Sequence, residues 1–132
     1  KRLADPDSVV FLGRVDEAQR ELLLSSAVAL VYPSLFEGFG LPPLEAMSRG
    51  TPVVAARATS IPEVVGDGGL LVDPLNTAEL AEALISVATD PVLASDLAER
   101  GRRRAASFSV EATGEALRAS FAAAIDLGER AD

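Results

Sequence analysis

In Val28-Ala29-Leu30-Val31-Tyr32-Pro33-Ser34-Leu35-Phe36-Glu37-Gly38-Phe39-Gly40-Leu41-Pro42-Pro43-Leu44-Glu45-Ala46-Met47-Ser48-Arg49-Gly50, an apolar run of five residues passes through a glycine-rich loop into a proline-led segment. The run Val28–Tyr32 is continuous rather than alternating in apolarity, as expected of a strand covered on both faces. Pro42 and Pro43 suit the first turn of a helix, whose N–H groups lack intrahelical partners, and Gly50 suits its end. The passage therefore reads as strand, loop, helix. In open parallel sheets such a loop leaves the carboxyl end of a strand, where ligands bind beside helix N-termini that favour anions.

The same grammar extends in both directions. Upstream, Val9-Val10-Phe11-Leu12 closed by Gly13 reads as a strand, and Asp16 with Gln19 three residues on reads as a capping box. The helix it opens is expected to turn Leu22, Leu23 and Ala27 toward the core. Residues 1–8 are expected to be a lead-in with little structure. Downstream, Pro52–Ala56 and Gly69–Val72 read as strands, with a short helix over Ser60–Val65 and a turn at Gly66-Asp67-Gly68-Gly69 between them. The resulting βαβαβαβ order predicts an α/β fold, a Rossmann-like parallel sheet with right-handed crossovers.

Beyond Asp73-Pro74 the pattern is helical. Asn76 and Glu79 cap a segment in which Leu80, Leu84, Ile85 and Ala88 recur at helical spacing. Asp90-Pro91 opens another helix with Leu93 and Leu97 inward, and Ser109 caps a last one striped by Val110, Leu117, Phe121 and Ile125. Arg100, Arg102, Arg103 and Arg104 lie near a helix C-terminus, where cations complement the dipole, and read as a solvated end.

Composition narrows the chemistry. At 132 residues and 48% hydrophobic content, residues 1–132 make one domain with a real core. A net charge of −8 argues against nonspecific binding to nucleic acid. With neither cysteine nor histidine, thiolate metal sites, cysteine nucleophiles and the usual general base are excluded, leaving carboxylates, arginines, hydroxyls and backbone N–H groups. No metal or cofactor is expected. No run approaches the roughly eighteen apolar residues of a membrane span, and no signal-like segment is visible, so a cytoplasmic location is expected.

Gly38-Phe39-Gly40 begins like a dinucleotide fingerprint, but Pro43 stands where its third glycine would fall. Gly66-Asp67-Gly68-Gly69 lacks the Lys-Ser/Thr of a phosphate-binding loop. Glu37 and Glu45 are the informative carboxylates. On the plainest reading Glu45 compensates a helix dipole and Glu37 is an exposed loop acid. The adjoining glycines and prolines, which permit close backbone approach and fix the start of the helix, suit a pre-organised site equally well.

Phe36-Glu37-Gly38-Phe39-Gly40-Leu41-Pro42-Pro43-Leu44-Glu45-Ala46-Met47 followed by Gly50-Thr51-Pro52-Val53-Val54 resembles the donor-site signature of retaining GT-B glycosyltransferases, group 1 or family 4. Val10-Phe11-Leu12-Gly13 upstream and Ser60 through Pro74 downstream keep that family's order. The resemblance implies the donor-binding part of a hexosyltransferase whose partner is a UDP- or GDP-sugar. Glu37 would be the catalytic-site carboxylate, accepting from hydroxyls of the donor sugar without acting as a nucleophile. Glu45 would accept from the ribose. The backbone N–H groups of Gly38, Phe39, Gly40 and Leu41, with the helix N-terminus, would meet the diphosphate, and Arg14 and Val15 would lie near the base. An ionised carboxylate accepts hydrogen bonds only, so it reads hydroxyls and repels phosphate, consistent with these roles. The loop over 41–44 and the Ser60–Glu63 variant resemble mannosyl and rhamnosyl transferases.

Departures from the family are also visible. Its diphosphate-neutralising Arg and Lys, carried on an earlier segment, and its acceptor-binding N-terminal domain are not in these residues. Phe108-Ser109-Val110 stands where Phe-Ser-Trp is usual. The chain is thus expected to be the last part of a longer enzyme and inactive alone. In the intact family domain further strands lie between the runs 9–12 and 28–32. Without them, exposed edges predict self-association, segment exchange or re-pairing. Two other classes fit the same residues: a nonenzymatic sugar-nucleotide-binding or assembly module, and a glycoside hydrolase, which would need Glu37 and Glu45 about 5–9.5 Å apart across one sugar.

Overall fold

The structure, a computed structural model, describes residues 8–129. Its elements in order are α1 (Glu17–Ser26), β1 (Leu30–Tyr32), α2 (Leu41–Arg49), β2 (Val53–Ala56), α3 (Ile61–Val65), β3 (Leu70–Val72), α4 (Thr77–Thr89), α5 (Pro91–Ala106) and α6 (Val110–Glu129). The strands form one parallel sheet in the order β1-β2-β3, with Leu30 opposite Val53 and Val54 opposite Leu70. The expected α/β class is correct. The lead-in falls almost wholly outside the described residues.

All four residues of β2 are fully buried, which is why the run reads as apolar without alternation. Val53 and Ala55 join a core with Ala46 and Met47 of α2 and Ile61, Val64 and Val65 of α3. Val54 turns to the other face, where Val72, Val87 of α4 and Leu97 of α5 close a second core. Helices thus cover both faces of the sheet. The expected inward placement of Leu93 and Leu97 holds.

Local signals place the helix ends well. Asp16 and Gln19 make a full capping box, with the Gln19 N–H donating to Asp16 Oδ1 at 2.8 Å and the Asp16 N–H to Gln19 Oε1 at 3.0 Å. Asn76 Oδ1 accepts from Ala78 and Glu79, Asp90 Oδ1 from Val92 and Leu93, and Ser109 Oγ from Ala112. Gly50 ends α2 at φ 77°, as the sequence predicts.

Three expectations need correction. Val9-Val10-Phe11-Leu12 forms no strand: Phe11 is 90% and Val10 75% exposed, and among the described residues nothing pairs with the run. Among the described residues the sheet therefore has three strands, and no further segment pairs with its open β1 edge. A strand exists only where a neighbour accepts its backbone hydrogen bonds, and apolarity alone supplies none. Leu22 and Leu23 face outward, and Ala27 is exposed, while Leu24 packs on the core. The buried Thr51 hydroxyl donates to the Leu24 carbonyl and ties α1 down on that face.

The arginines are the third correction. Arg104 donates to the carbonyls of Val64 and Glu63, and Arg100 to that of Asp67 at 3.0 Å. The Arg104 bonds satisfy carbonyls that α3 leaves free at its C-terminus, and the Arg100 bond one in the turn that follows it. Arg102 is exposed, as expected of a solvated helix end, and its guanidinium lies over Gly50. Arg103, ion-paired with Glu99 and well exposed, behaves as the expected solvated residue.

Candidate functional site

β1 ends at Tyr32, so the loop Pro33–Gly40 leaves the sheet at the carboxyl end of a strand, as expected. Glu37 stands in this loop under four hydroxyl contacts. Tyr32 Oη donates to Glu37 Oε1 at 2.5 Å and Ser34 Oγ to the same oxygen at 2.9 Å. The Glu37 N–H donates to Thr59 Oγ1 at 3.1 Å, and Ser60 Oγ reaches the carbonyls of Glu37 and Phe39 at 3.0 and 3.1 Å. The hydrogen bonds from Tyr32 and then Ser34 hold the Glu37 carboxyl below the usual carboxylate range. The same bond, with burial and the facing charge, pushes the Tyr32 phenol up to about 12, so it stays a donor throughout the neutral range.

Thr59 holds its place at φ 49°, an uncommon conformation for a β-branched residue. The strain sits where its hydroxyl meets Glu37, a location typical of binding sites. Gly40 caps α2 at φ 106°, and a Cβ there would stand 2.7 Å from Ile61 Cδ1, so both conformation and space require glycine.

With the carbonyls of Glu37 and Phe39 engaged by Ser60, no hydrogen bond among the described residues takes up the N–H groups of Gly38, Phe39, Gly40 or Leu41. This is the set expected to meet an anion. The helix adds less than the sequence reading assumed. Pro42 and Pro43 have no N–H, and the Leu44 N–H already donates to Gly40, so Leu41 is its one free donor among the described residues. The Phe39 ring meets Phe108 edge-on at 5.8 Å between centroids, and Arg104 stands 5.0 Å over Phe108. The segment after α5 thereby braces the loop.

Glu45 lies on α2 and pairs with Arg20 of α1 at 3.2 Å. Both side chains keep solvent access, so the pair is weak and readily exchanged for another partner. Arg14 is exposed and Val15 half-buried, and both line an open depression of about 300 Å³ with Leu12, Gln19, Leu22 and Leu23. A neighbouring depression is lined by Val15, Asp16, Glu17 and Arg20. Arg20 therefore links the Arg14-Val15 segment to Glu45. A further depression of about 430 Å³ lies on α5 at the end away from Phe108, and its charged lining residues, Asp96 and Glu99, make it unfit for an anion. Among the described residues no acidic cluster could hold a metal ion.

Sequence reasoning singled out Glu37, Glu45, Gly38 to Leu41 and Arg14-Val15 as candidates, and did not single out Tyr32, Ser34, Thr59, Ser60, Arg20 or Phe108, which the structure sets beside them. Tyr32 carried a usable signal, a polar-tipped aromatic at the carboxyl end of a buried strand. Ser34, three residues before Glu37, carried another. Arg20 and Thr59 reach the site only through the fold.

The architecture and the loop define a class: a parallel α/β domain with hydroxyls, carboxylates and free N–H groups gathered at the carboxyl ends of its strands. Within that class, the chain belongs to the group 1 glycosyl transferases, whose family model matches residues 2–104. It is 43% identical over 101 residues to O-antigen chain mannosyltransferase B of Escherichia coli, covering 76% of this chain and 26% of that protein. It is 47% identical over 96 residues to the MMP alpha-(1->4)-mannosyltransferase of Mycolicibacterium hassiacum, covering 70% and 23%. The sucrose-phosphate synthase of Thermosynechococcus elongatus superposes with a TM-score of 0.76 at 36% identity, over 89% of this chain and 31% of that one. The chain spans about a quarter of the length of these two mannosyltransferases.

Proposed function

We propose that the intact protein is a retaining glycosyltransferase that moves a hexose from a nucleotide diphosphate sugar to an acceptor, with this chain supplying the donor site. The observation that carries the reading is the pairing of an ionised, hydroxyl-held Glu37 with the N–H groups of Gly38 to Leu41 directly after it, which no hydrogen bond among the described residues claims. Glu37 accepts from hydroxyls of the donor sugar, and the N–H groups take the diphosphate and the charge that grows on it as the sugar leaves. Glu45 accepts from the ribose, exchanging Arg20 for it. The base lies by Arg14 and Val15, in the depression that Arg20 joins to Glu45. Mannosyltransferases among the relatives support mannose as the hexose.

The cytoplasmic location belongs to the same proposal. Among the described residues no helix is long and apolar enough to cross a membrane. So does self-association of the chain through its open sheet edge, which light scattering checks. A mass that rises with concentration is expected, and a fixed monomer counts against it.

The test of the function is calorimetric titration of the intact protein with UDP, GDP and GDP-mannose, repeated with Glu45→Ala. One nucleotide is expected to bind, about tenfold more weakly in the variant, since a hydrogen bond to a charged group is lost. Binding that Glu45→Ala leaves unchanged would remove the ribose role.

A further inference from the structure

Glu37 has two carboxylate oxygens, and the fold spends two donors on only one of them. Tyr32 and Ser34 both donate to Oε1, while no partner among the described residues engages Oε2. The Tyr32 ring is packed against the core below α2 and α3, so its hydroxyl is a fixed post rather than a mobile surface group. The backbone of Glu37 is pinned separately by Thr59 and Ser60. Cations on the adjoining elements are committed elsewhere: Arg57 to the Leu71 carbonyl and Glu79, Arg104 to the end of α3, Arg20 to Glu45. Neutral hydroxyls, and no ion pair among the described residues, therefore orient this carboxylate.

We propose that Tyr32 and Ser34 are positioning residues for Glu37, holding Oε1 so that Oε2 is the one carboxylate oxygen presented to a hydroxyl of the donor sugar. This rests on the reading in which Glu37 meets that sugar. An arginine in their place would orient the carboxylate as well, but would neutralise it and compete with the ligand for its lone pairs. A phenol and an alcohol orient it and leave its charge. They also lower its affinity for a proton, and a protonated Glu37 would present a donor where the sugar offers one.

The test compares the intact protein with Tyr32→Phe, Ser34→Ala and the pair, each made also in a Glu37→Gln background, with donor and acceptor turnover followed across pH. Tyr32→Phe keeps the packed ring and is expected to lower kcat about tenfold, as for one lost hydrogen bond to a charged acceptor. The carboxyl of Glu37 then rises toward its ordinary range, so the acid limb of the kcat profile moves to higher pH. In the Glu37→Gln background the same change is expected to cost nothing further. Ser34→Thr, which restores a hydroxyl, is expected to recover most of what Ser34→Ala loses. An unmoved acid limb in Tyr32→Phe, or an equal cost in both backgrounds, would overturn the proposal while transfer by the unaltered protein stands. An unaltered protein that neither binds nor uses any nucleotide sugar would overturn the reading beneath it and this inference with it.

Discussion

Val9-Val10-Phe11-Leu12 and Val53-Val54-Ala55-Ala56 are two four-residue apolar runs with the same local pattern and opposite surroundings. The second is fully buried at the centre of the sheet, and in the first Phe11 is 90% exposed. Their side chains do not separate them; the more apolar run is the exposed one. β2 has a parallel neighbour on each edge and a helix layer on each face, so its backbone groups are paired and its side chains covered. The run over 9–12 has neither among the described residues. Apolarity reports what a segment would gain by burial, whereas the ladder reports whether burial is open to it.

The sharpest way to break this comparison is to place a charge in each run. Val53→Asp is expected to cost about 4 kcal/mol or more, because it buries an unpaired carboxylate between two helices and the sheet. Val10→Asp is expected to stay within about 0.5 kcal/mol. Urea unfolding of the two variants checks both, and similar costs would mean that the first run is covered in solution.

The helices extend the contrast. Leu97 of α5 is fully buried, whereas Phe121 of α6 is 62% exposed within the stripe that the sequence predicts. Leu97→Ala is expected to cost about 2–5 kcal/mol by leaving a cavity in the second core. Phe121→Ala is expected to cost less than about 0.5 kcal/mol, again read by unfolding. A large effect at Phe121 would place α6 against a partner.

Between the buried and the exposed extremes lies α1, which borders the exposed run on one side and packs Leu24 on the core on the other. Asp16→Ala removes a side-chain acceptor of the capping box and is expected to cost about 1 kcal/mol. Thermal unfolding and amide exchange over Glu17–Arg20 would detect it. Faster exchange confined to that turn is expected, and a loss spread through β2 would show that α1 is more deeply coupled to the sheet.

Much of this molecule could be read residue by residue. The caps at Asp16, Asn76, Asp90 and Ser109, the stop at Gly50, the strand–loop–helix around Glu37 and the buried β2 follow from chemistry between residues two to four apart, or from a single run's composition. Local interactions of that kind are the same wherever the segment sits in space. The surroundings of the loop were not legible in the same way. Thr59 meets Glu37 across 22 positions, Ser60 across 23 and 21, Thr51 meets Leu24 across 27, and Arg104 meets the end of α3 across 40 and 41. Pattern cannot place such partners, because serine, threonine and arginine are equally at home in solvent. They become specific only once the β-α crossovers bring the start of α3 beneath the loop and the end of α5 beside it. Chain order and composition thus carried the strands, the helices and the two carboxylates, while packing alone aimed Glu37, paired Arg20 with Glu45 and left Val9–Leu12 without a place in the sheet, since each of these depends on which distant segments the fold makes neighbours.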